Sequence, residues 1–363
     1  VVAAHLRPGG VKGWDVKEKV APIRIEQLRP DAAEAYDRYL LGRPETLFYQ
    51  GSKYKEFLKA LLGCREEYLL AYEGEEVCGV LPLLFAEREG QRVYNSLPYY
   101  GSNGGIVADG ERAYVELLGA YREIASRATT ASATIIESPF AARPGPAPPH
   151  DLTDYRIGQF TDIAYASGHR EEIASRIDAS ARRNISKAAR EGVTVEVDHA
   201  QLPRLREMHR ENITAIGGLP KSDDFFRLVP EHFEPGTDYD LYIARRDGLV
   251  VAGLLLFYFN RTVEYFTPAV AAEFRTYQPL SLILIEAMTA ASRRGFRVWN
   301  WGGTWVTQTG VYRFKRKWAA AERRYDYFTQ LTDSSLLEWP RERLLETFPN
   351  FYVAPFSALK PKE

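Results

Sequence analysis

"YDLYIARRDGLVVAGLLLFYFNRTVEYFTPAV", residues 239–270, decides the fold. It reads as a strand, a charged turn with Gly248, an apolar strand with an early glycine (Gly253), and a third strand ending near Pro268. The same design stands earlier in "EYLLAYEGEEVCGVLPLLFAER", residues 67–88. There a turn at Glu73–Glu76 joins two β-rich runs, and Gly79 takes the place of Gly253. A third strand, "RVYNSLPYYG", ends near Pro98 and enters the loop "GSNGGIVADG". A helix, "ERAYVELLGAYREIASRA", and a strand, "SATIIESPF", follow, as a helix and a strand follow Pro268. The spacing predicts a duplication with a period of roughly 170 residues. A chance likeness of two hairpins is the plainer alternative.

Outward from these copies, "IRIEQL" reads as a strand, and "DAAEAYDRYLLG" and "KYKEFLKALLG" as helices. Between the copies, "SPFAARPGPAPPH" carries five prolines and resembles a linker. Yet "DYRIGQFTDIAY" after it reads as further strand of the first copy. The boundary is therefore expected near Gly168, giving domains 1–167 and 168–363. One long helix, "REEIASRIDASARRNISKAAREG", is expected from there to Gly192. Ile173, Ile177 and Ile185 share one face of it, and Arg183, Lys187 and Arg190 another. The expected class is α/β of the α+β type: two tandem halves, each a mainly antiparallel mixed sheet flanked by helices.

Composition sets bounds on function. The 363 residues carry a net charge of -1, so any nucleic-acid contact must come from a local basic patch. Twenty-two tyrosines and eighteen phenylalanines suit cleft walls as well as cores. The two cysteines, Cys64 and Cys78, have no metal-type spacing, and the six histidines form no HExxH pair, so no metal site is expected. The start "VVAAHLRPGG" lacks the pattern of a signal peptide. The longest apolar run, 249–259, is too short to span a bilayer. A cytosolic protein is expected.

The stretch "WNWGGTWVTQTGVYRFKRKWAA", residues 299–320, carries the clearest chemistry. It reads as a buried strand ended by Gly302 and Gly303, then a helix after Gly310. At 100° per residue Val311, Phe314 and Trp318 form an apolar stripe. Lys315 lies roughly 70° from its centre, nearer than Arg313, Arg316 or Lys317. Such a lysine either snorkels to solvent or is held in a cleft, where an ammonium can stabilise a developing oxyanion. The sequence offers no evident Ser-His-Asp, Cys-His or metal constellation.

"RRNISKAAREGVTVE", then "VVAGLLLFYFNRTVEYFTPAVAAEFRTYQPLSLILIEAM", then "GFRVWNWGGT" and "GVYRFKRKWA" resemble the FemABX transferases and their relatives, the CelD/BioF-like acyltransferases. The likeness is best over residues 176–320, and in the first half it rests on strand order and "LPYYGSNGG". It implies two tandem acetyltransferase-like (GNAT) domains. It also implies transfer of an amino acid from aminoacyl-tRNA to an amine, typically on a peptidoglycan precursor, with no tightly bound cofactor. The family's Phe-Lys pair falls on Phe314 and Lys315, which puts Lys315 beside the reacting acyl group. The family's strand of spaced tyrosines falls on Glu264, Tyr265 and Phe266, so one tyrosine remains. Two acceptor-binding positions fall near Lys221 and Phe225. The glycine that often closes the Phe-Lys motif is Ala319, and no coiled-coil arm is evident.

The donor is open between tRNA and coenzyme A. Ordinary GNAT enzymes hold the coenzyme A pyrophosphate on backbone N–H groups at a helix start. The matching "FRTYQPLSL" keeps Arg275 and Gln278 but lacks glycines, and Pro279 has no N–H to give. "GGIVADGERAYVELL" of the first copy matches no better. For tRNA or another phosphate, Arg182, Arg183, Lys187 and Arg190 form one basic run, and Arg313, Arg316, Lys317, Arg323 and Arg324 a second. Solvated surface is the usual meaning of such runs. Glu264 is the candidate base if protein supplies one; an outward strand position is its ordinary alternative. Tyr265 and Trp305 are candidate cleft walls. Asn103, with Gly101, Gly104 and Gly105, forms a loop that could touch an acceptor. Tyr312 and Trp318 are assigned to packing. Acyl-CoA or a carrier thioester is the second donor reading. A silent fold that only binds a cell-wall or polysaccharide precursor is the third.

Overall fold

The computed structural model describes residues 21–99, 103–305 and 308–359. The first half begins with β1 (Ile23–Gln27) and helices α1 (Ala33–Leu41) and α2 (Ser52–Leu62). Six short strands follow: β2 (Arg65–Glu66), β3 (Leu69–Glu73), β4 (Glu76–Leu81), β5 (Leu84–Arg88), β6 (Gln91–Asn95) and β7 (Val107–Ala108). Helix α3 (Glu111–Ala125) and strands β8 (Thr130–Ile136) and β9 (Leu152–Asp162) complete it. The second half opens with α4 (Arg170–Arg176), α5 (Ala179–Arg190), β10 (Thr194–Val197), α6 (Leu202–Thr214) and α7 (Asp223–His232). Its sheet strands β11 (Tyr239–Arg246), β12 (Leu249–Phe259) and β13 (Thr262–Val270) lead through α8 (Pro279–Arg293) to β14 (Val298–Thr304). The last elements are α9 (Thr309–Arg316), β15 (Ala321–Leu331) and α10 (Arg341–Thr347).

One plan is built twice. β11 lies between β10 and β12, as β3 lies between β1 and β4. β13 and β14 are parallel neighbours with α8 between them in sequence, and β6 and β8 are parallel neighbours with α3 between them. The copies differ where proline intervenes. β12 is one strand of 11 residues, but its counterpart splits into β4 and β5 around Pro82, which has no N–H for the ladder. The counterpart of β13 splits likewise into β6 and β7. As a result β1-β3-β4-β7 form a separate four-stranded sheet, while β5 and β6 stay in the main one.

The main sheet has eleven strands, ordered β10-β11-β12-β13-β14-β9-β15-β8-β6-β5-β2. Its centre is an exchange. β9, which the sequence reading gave to the first copy, pairs with β14 and β15. β15, from the end of the chain, pairs with β8. Each half thus lends its last strand to the edge of the other. The expected single helix over 170–192 is two helices: Ile177 is extended (ψ 159), and Asp178 caps α5 by accepting from the Ser180 N–H.

The halves also share a core. Phe48 stacks on Phe257 with centroids 4.3 Å apart, and Phe57 of α2 meets Phe225 of α7 edge-on at 5.6 Å. Phe233 touches both Phe48 and Phe57. Five such rings, drawn from both halves, bury apolar area that neither half could hide alone.

Candidate active site

β14 and the segment after it build the site. Trp299, Asn300 and Trp301 are buried. The strand does not end at Gly302 as expected; it runs through Gly303 to Thr304, with a register shift against β9 between Asn300 and Gly302. The two glycines serve different needs. Gly302 adopts φ +73, a left-handed conformation suited to glycine, and its N–H donates to Asn300 Oδ1 at 3.0 Å. At Gly303 a Cβ would stand 2.1 Å from the Tyr325 hydroxyl, so the residue is a glycine to admit that phenol.

Helix α9 places Lys315 against this turn. The side chain is not snorkelling, since the residue is only 5% exposed. Its Nζ donates to Thr304 Oγ1 at 2.8 Å and makes long contacts with the Gly303 and Gly302 carbonyl oxygens, at 3.4 and 3.5 Å. All three acceptors are neutral. Burial without a counter-charge pulls the ammonium down to about 8. Thr304 passes its own proton to Gln159 Oε1 at 3.1 Å, which fixes the hydroxyl as an acceptor for Lys315. Phe314 is half-buried and meets Trp301 edge-on at 6.2 Å. Val311 is exposed, so the apolar stripe narrows to Phe314 and Trp318, the latter in the turn after the helix. Arg313, Arg316 and Lys317 face solvent.

The Gly302–Gly303 turn forms part of the wall of a cavity of about 320 Å³. Tyr265 and Phe266 of β13, Trp301 and Trp305 line the same space. From the exchanged strands come Arg156 of β9 and Tyr325 and Tyr327 of β15. Tyr49, Leu97, Pro98 and Lys221 also border it. Tyr265 approaches Trp301 at 5.0 Å, and Trp305 stacks on Phe356. The Lys221 ammonium is crowded by Phe266 and Phe225, with centroids at 5.2 and 5.7 Å. Loss of hydration there lowers it to about 7. Its backbone N–H donates to His209 Nε2, and burial, then Lys221, pushes that imidazole down to about 4.

Glu264 is not an outward residue. It is fully buried, and Oε2 accepts from Asn300 Nδ2 at 2.9 Å. Oε1 has no hydrogen-bond partner among the described residues. Burial pushes the carboxyl up to about 8, an effect that Asn300 and the nearby Tyr49 hydroxyl reduce in part. Neither Glu264 nor Lys315 lines the cavity; each lies one layer behind it, next to residues that do. Asn103 is buried with φ +93. A Cβ on Gly104 would meet the Ser96 carbonyl oxygen at 2.2 Å. Gly104 packs against Leu97, and neither it nor Asn103 borders the cavity. Gly101 lies outside the described residues.

Arg183 and Arg190 are exposed on α5, and Lys187 is half-buried. The Asp178 N–H, at the start of α5, donates to the Lys317 carbonyl at 2.8 Å. The start of α5 therefore lies against the end of α9, with Arg183 and Lys317 both near Asp178. At the start of α8, Pro279 offers no N–H and the Ser281 N–H is taken by the Gln278 carbonyl at 3.0 Å, leaving little for a pyrophosphate. Among the described residues, no group of three or more His, Cys, Asp or Glu is arranged to hold a metal. Nor is any helix among them long and apolar enough to cross a membrane.

Sequence reasoning missed Arg156, Tyr325, Tyr327 and Tyr49. The alternation in "ERRYDYF" marks Tyr325 and Tyr327 as sharing a face. Nothing local says which face meets the site.

Strand order and the twin parallel crossovers define the fold: two GNAT-like units in tandem. Residues 175–316 match the family model described as an acetyltransferase (GNAT) domain. More particularly, the fold of the chain is like that of several solved structures. The crystal structure of FemX shares its fold with a TM-score of 0.65 and 16% identity, over 86% of this chain and 98% of that one. A conserved protein of unknown function from Bacteroides thetaiotaomicron follows at 0.55 and 9%, over 85% and 100%. The C-terminal DUF2156 domain assigned to a lysylphosphatidylglycerol synthetase of Agrobacterium fabrum gives 0.51 and 11%, over 89% and 99%. No curated protein matches the chain by sequence.

Proposed function

We propose that the protein is an N-acyltransferase that moves an aminoacyl group from aminoacyl-tRNA to an amine acceptor, a peptidoglycan precursor or another small molecule or peptide. The observation that carries this reading is Lys315: a buried ammonium with neutral oxygen partners, held against the Gly302–Gly303 wall of an aromatic cavity. Lys315 lies one layer behind the cavity, so its ammonium reaches a substrate oxygen by giving up its two long carbonyl contacts at the Gly302–Gly303 turn. The acceptor nitrogen attacks the ester carbonyl carbon and the C–N bond forms. Lys315 stabilises the resulting oxyanion while Phe314 keeps the helix seated on Trp301. Collapse breaks the C–O bond to the terminal ribose, whose oxygen leaves with a proton. Glu264, in its ionised form and beside Tyr49, takes the proton that the amine gives up and passes it to the departing ribose oxygen. Tyr265, Trp305 and Lys221 bind the acceptor, with Asn103 and Gly104 shaping the wall at Leu97 and Pro98. Arg183, Lys187, Arg190 and Arg316 meet the phosphates of the donor. The division into domains 1–167 and 168–363 and a cytoplasmic site of action belong to the same proposal.

One observation favours a second donor: the matched family model is that of an acetyltransferase, so acyl-CoA is the alternative. Incubation with a mixture of charged tRNAs and acyl-CoAs, followed by measurement of which acyl ester is discharged, separates them. Discharge of charged tRNA supports the proposal. Discharge of acyl-CoA alone replaces it with the second, and discharge of neither removes both.

A further inference from the structure

We infer that Arg156 is an oxyanion clamp: the Nε–Nη2 edge of its guanidinium receives a carboxylate or phosphate of the molecule that enters the cavity. The inference rests on the proposal above only in taking that molecule to be the acceptor.

Arg156 stands on β9, the strand that the two halves share. Its side chain is only 5% exposed yet borders the cavity. Two rings cover it, Trp305 at 3.4 Å and Tyr327 at 4.8 Å from the guanidinium carbon to each centroid. A guanidinium stacked on rings keeps its donors at its edges. Both hydrogen bonds that it makes leave from Nη1, to Asp154 Oδ2 and to the Tyr155 carbonyl, each at 2.7 Å. Nε and Nη2 donate to nothing among the described residues, although a buried arginine normally spends most of its five N–H groups. Asp154 is itself fixed by the Tyr352 hydroxyl at 3.1 Å, so it holds the guanidinium in plane and leaves the other edge presented.

The surrounding charge favours an anion. Among the described residues the lining holds two cations, Arg156 and Lys221, and no carboxylate. The side edge of a guanidinium matches two oxygens of a carboxylate or phosphate in parallel. Location limits the ligand's size. A Cβ on Gly303 would come within 3.6 Å of Arg156 Cβ, so the clamp adjoins the turn that Lys315 supports. The ligand is therefore a short molecule with its anionic group close to the reacting end.

The test is binding of small probes without any donor, read by the fluorescence of Trp301 and Trp305. The probes are N-acetylglycine, methyl phosphate and the neutral N-acetylglycinamide. The expected result is a preference of about tenfold or more for one or both anions over the neutral probe. Whichever anion wins identifies the group. Arg156→Gln, at an unchanged melting temperature, abolishes the preference and leaves the neutral probe's binding as it was. If that variant does not fold, Arg156→Lys keeps the charge beside Asp154, loses the second edge, and reduces the preference. An equal response to all three probes in the unaltered protein overturns the clamp, as does a folded Arg156→Gln that still selects anions. Loss of donor discharge alongside intact anion selection would instead count against acyl transfer.

Discussion

At the scale of single residues, two buried groups carry the account, and their protonation runs in opposite directions. Glu264 is held up to about 8, well above the carboxylate's usual value of about 4.3. Between those values the folded chain keeps a proton that the unfolded chain has lost, so stability falls as pH rises across that window. Lys315, drawn down to about 8, acts above it: there the unfolded chain holds the extra proton, and stability rises with pH. Glu264→Gln therefore raises the melting temperature relative to the unaltered protein by an amount that grows from pH 5 to pH 8. Thermal unfolding across that range checks it, and a constant difference would mean that the carboxyl is charged throughout. The place of Lys315 beside the aromatic stripe was legible from helical spacing, but its burial was not, because spacing leaves a snorkelling side chain equally open. Nor were its partners legible. Thr304 Oγ1 and the two glycine carbonyls reach it only because β14 bends at Gly302, which the spacing of residues does not encode. Glu264 looked like a surface residue because alternation along a strand cannot tell a face covered by Tyr49 from an open one.

Among elements, the meeting of α5 and α9 matters most. Asp178 ties the start of one to the end of the other through the Lys317 carbonyl, which brings Arg183 and Lys317 to one place. The charge reversals Arg183→Glu and Arg190→Glu weaken charged-tRNA binding and reduce the slope of log affinity against log salt by roughly one per lost phosphate contact. Filter binding across a salt series measures both. An unchanged slope would place the donor elsewhere. The break before α5 was hidden by the isoleucine periodicity, which runs on through Ile177 even though that residue is extended.

On the scale of the whole molecule, the duplicated plan was legible because hairpin, turn and glycine recur in order, each a local signal. The strand exchange was not, because pairing of β9 with β14 and of β15 with β8 is non-local. The same exchange hid Arg156 and Tyr325. It has a consequence for cutting the chain. Residues 1–167 and 168–363, produced separately, each lack the strands that cover an exposed edge and the partners of Phe48, Phe57, Phe225 and Phe233. Neither piece alone shows cooperative unfolding by circular dichroism, and mixing them restores it. Two independent transitions from isolated pieces would mean that the shared core and exchanged strands contribute little.

The central claim is that the Lys315 ammonium stabilises the oxyanion of acyl transfer. Its most direct test is the single-turnover rate of Lys315→Ala with whichever donor the protein discharges. The account predicts a fall of about a hundredfold or more, with donor affinity and melting temperature little changed. A rate within about twofold of the unaltered protein, from a folded variant that binds donor normally, would contradict it.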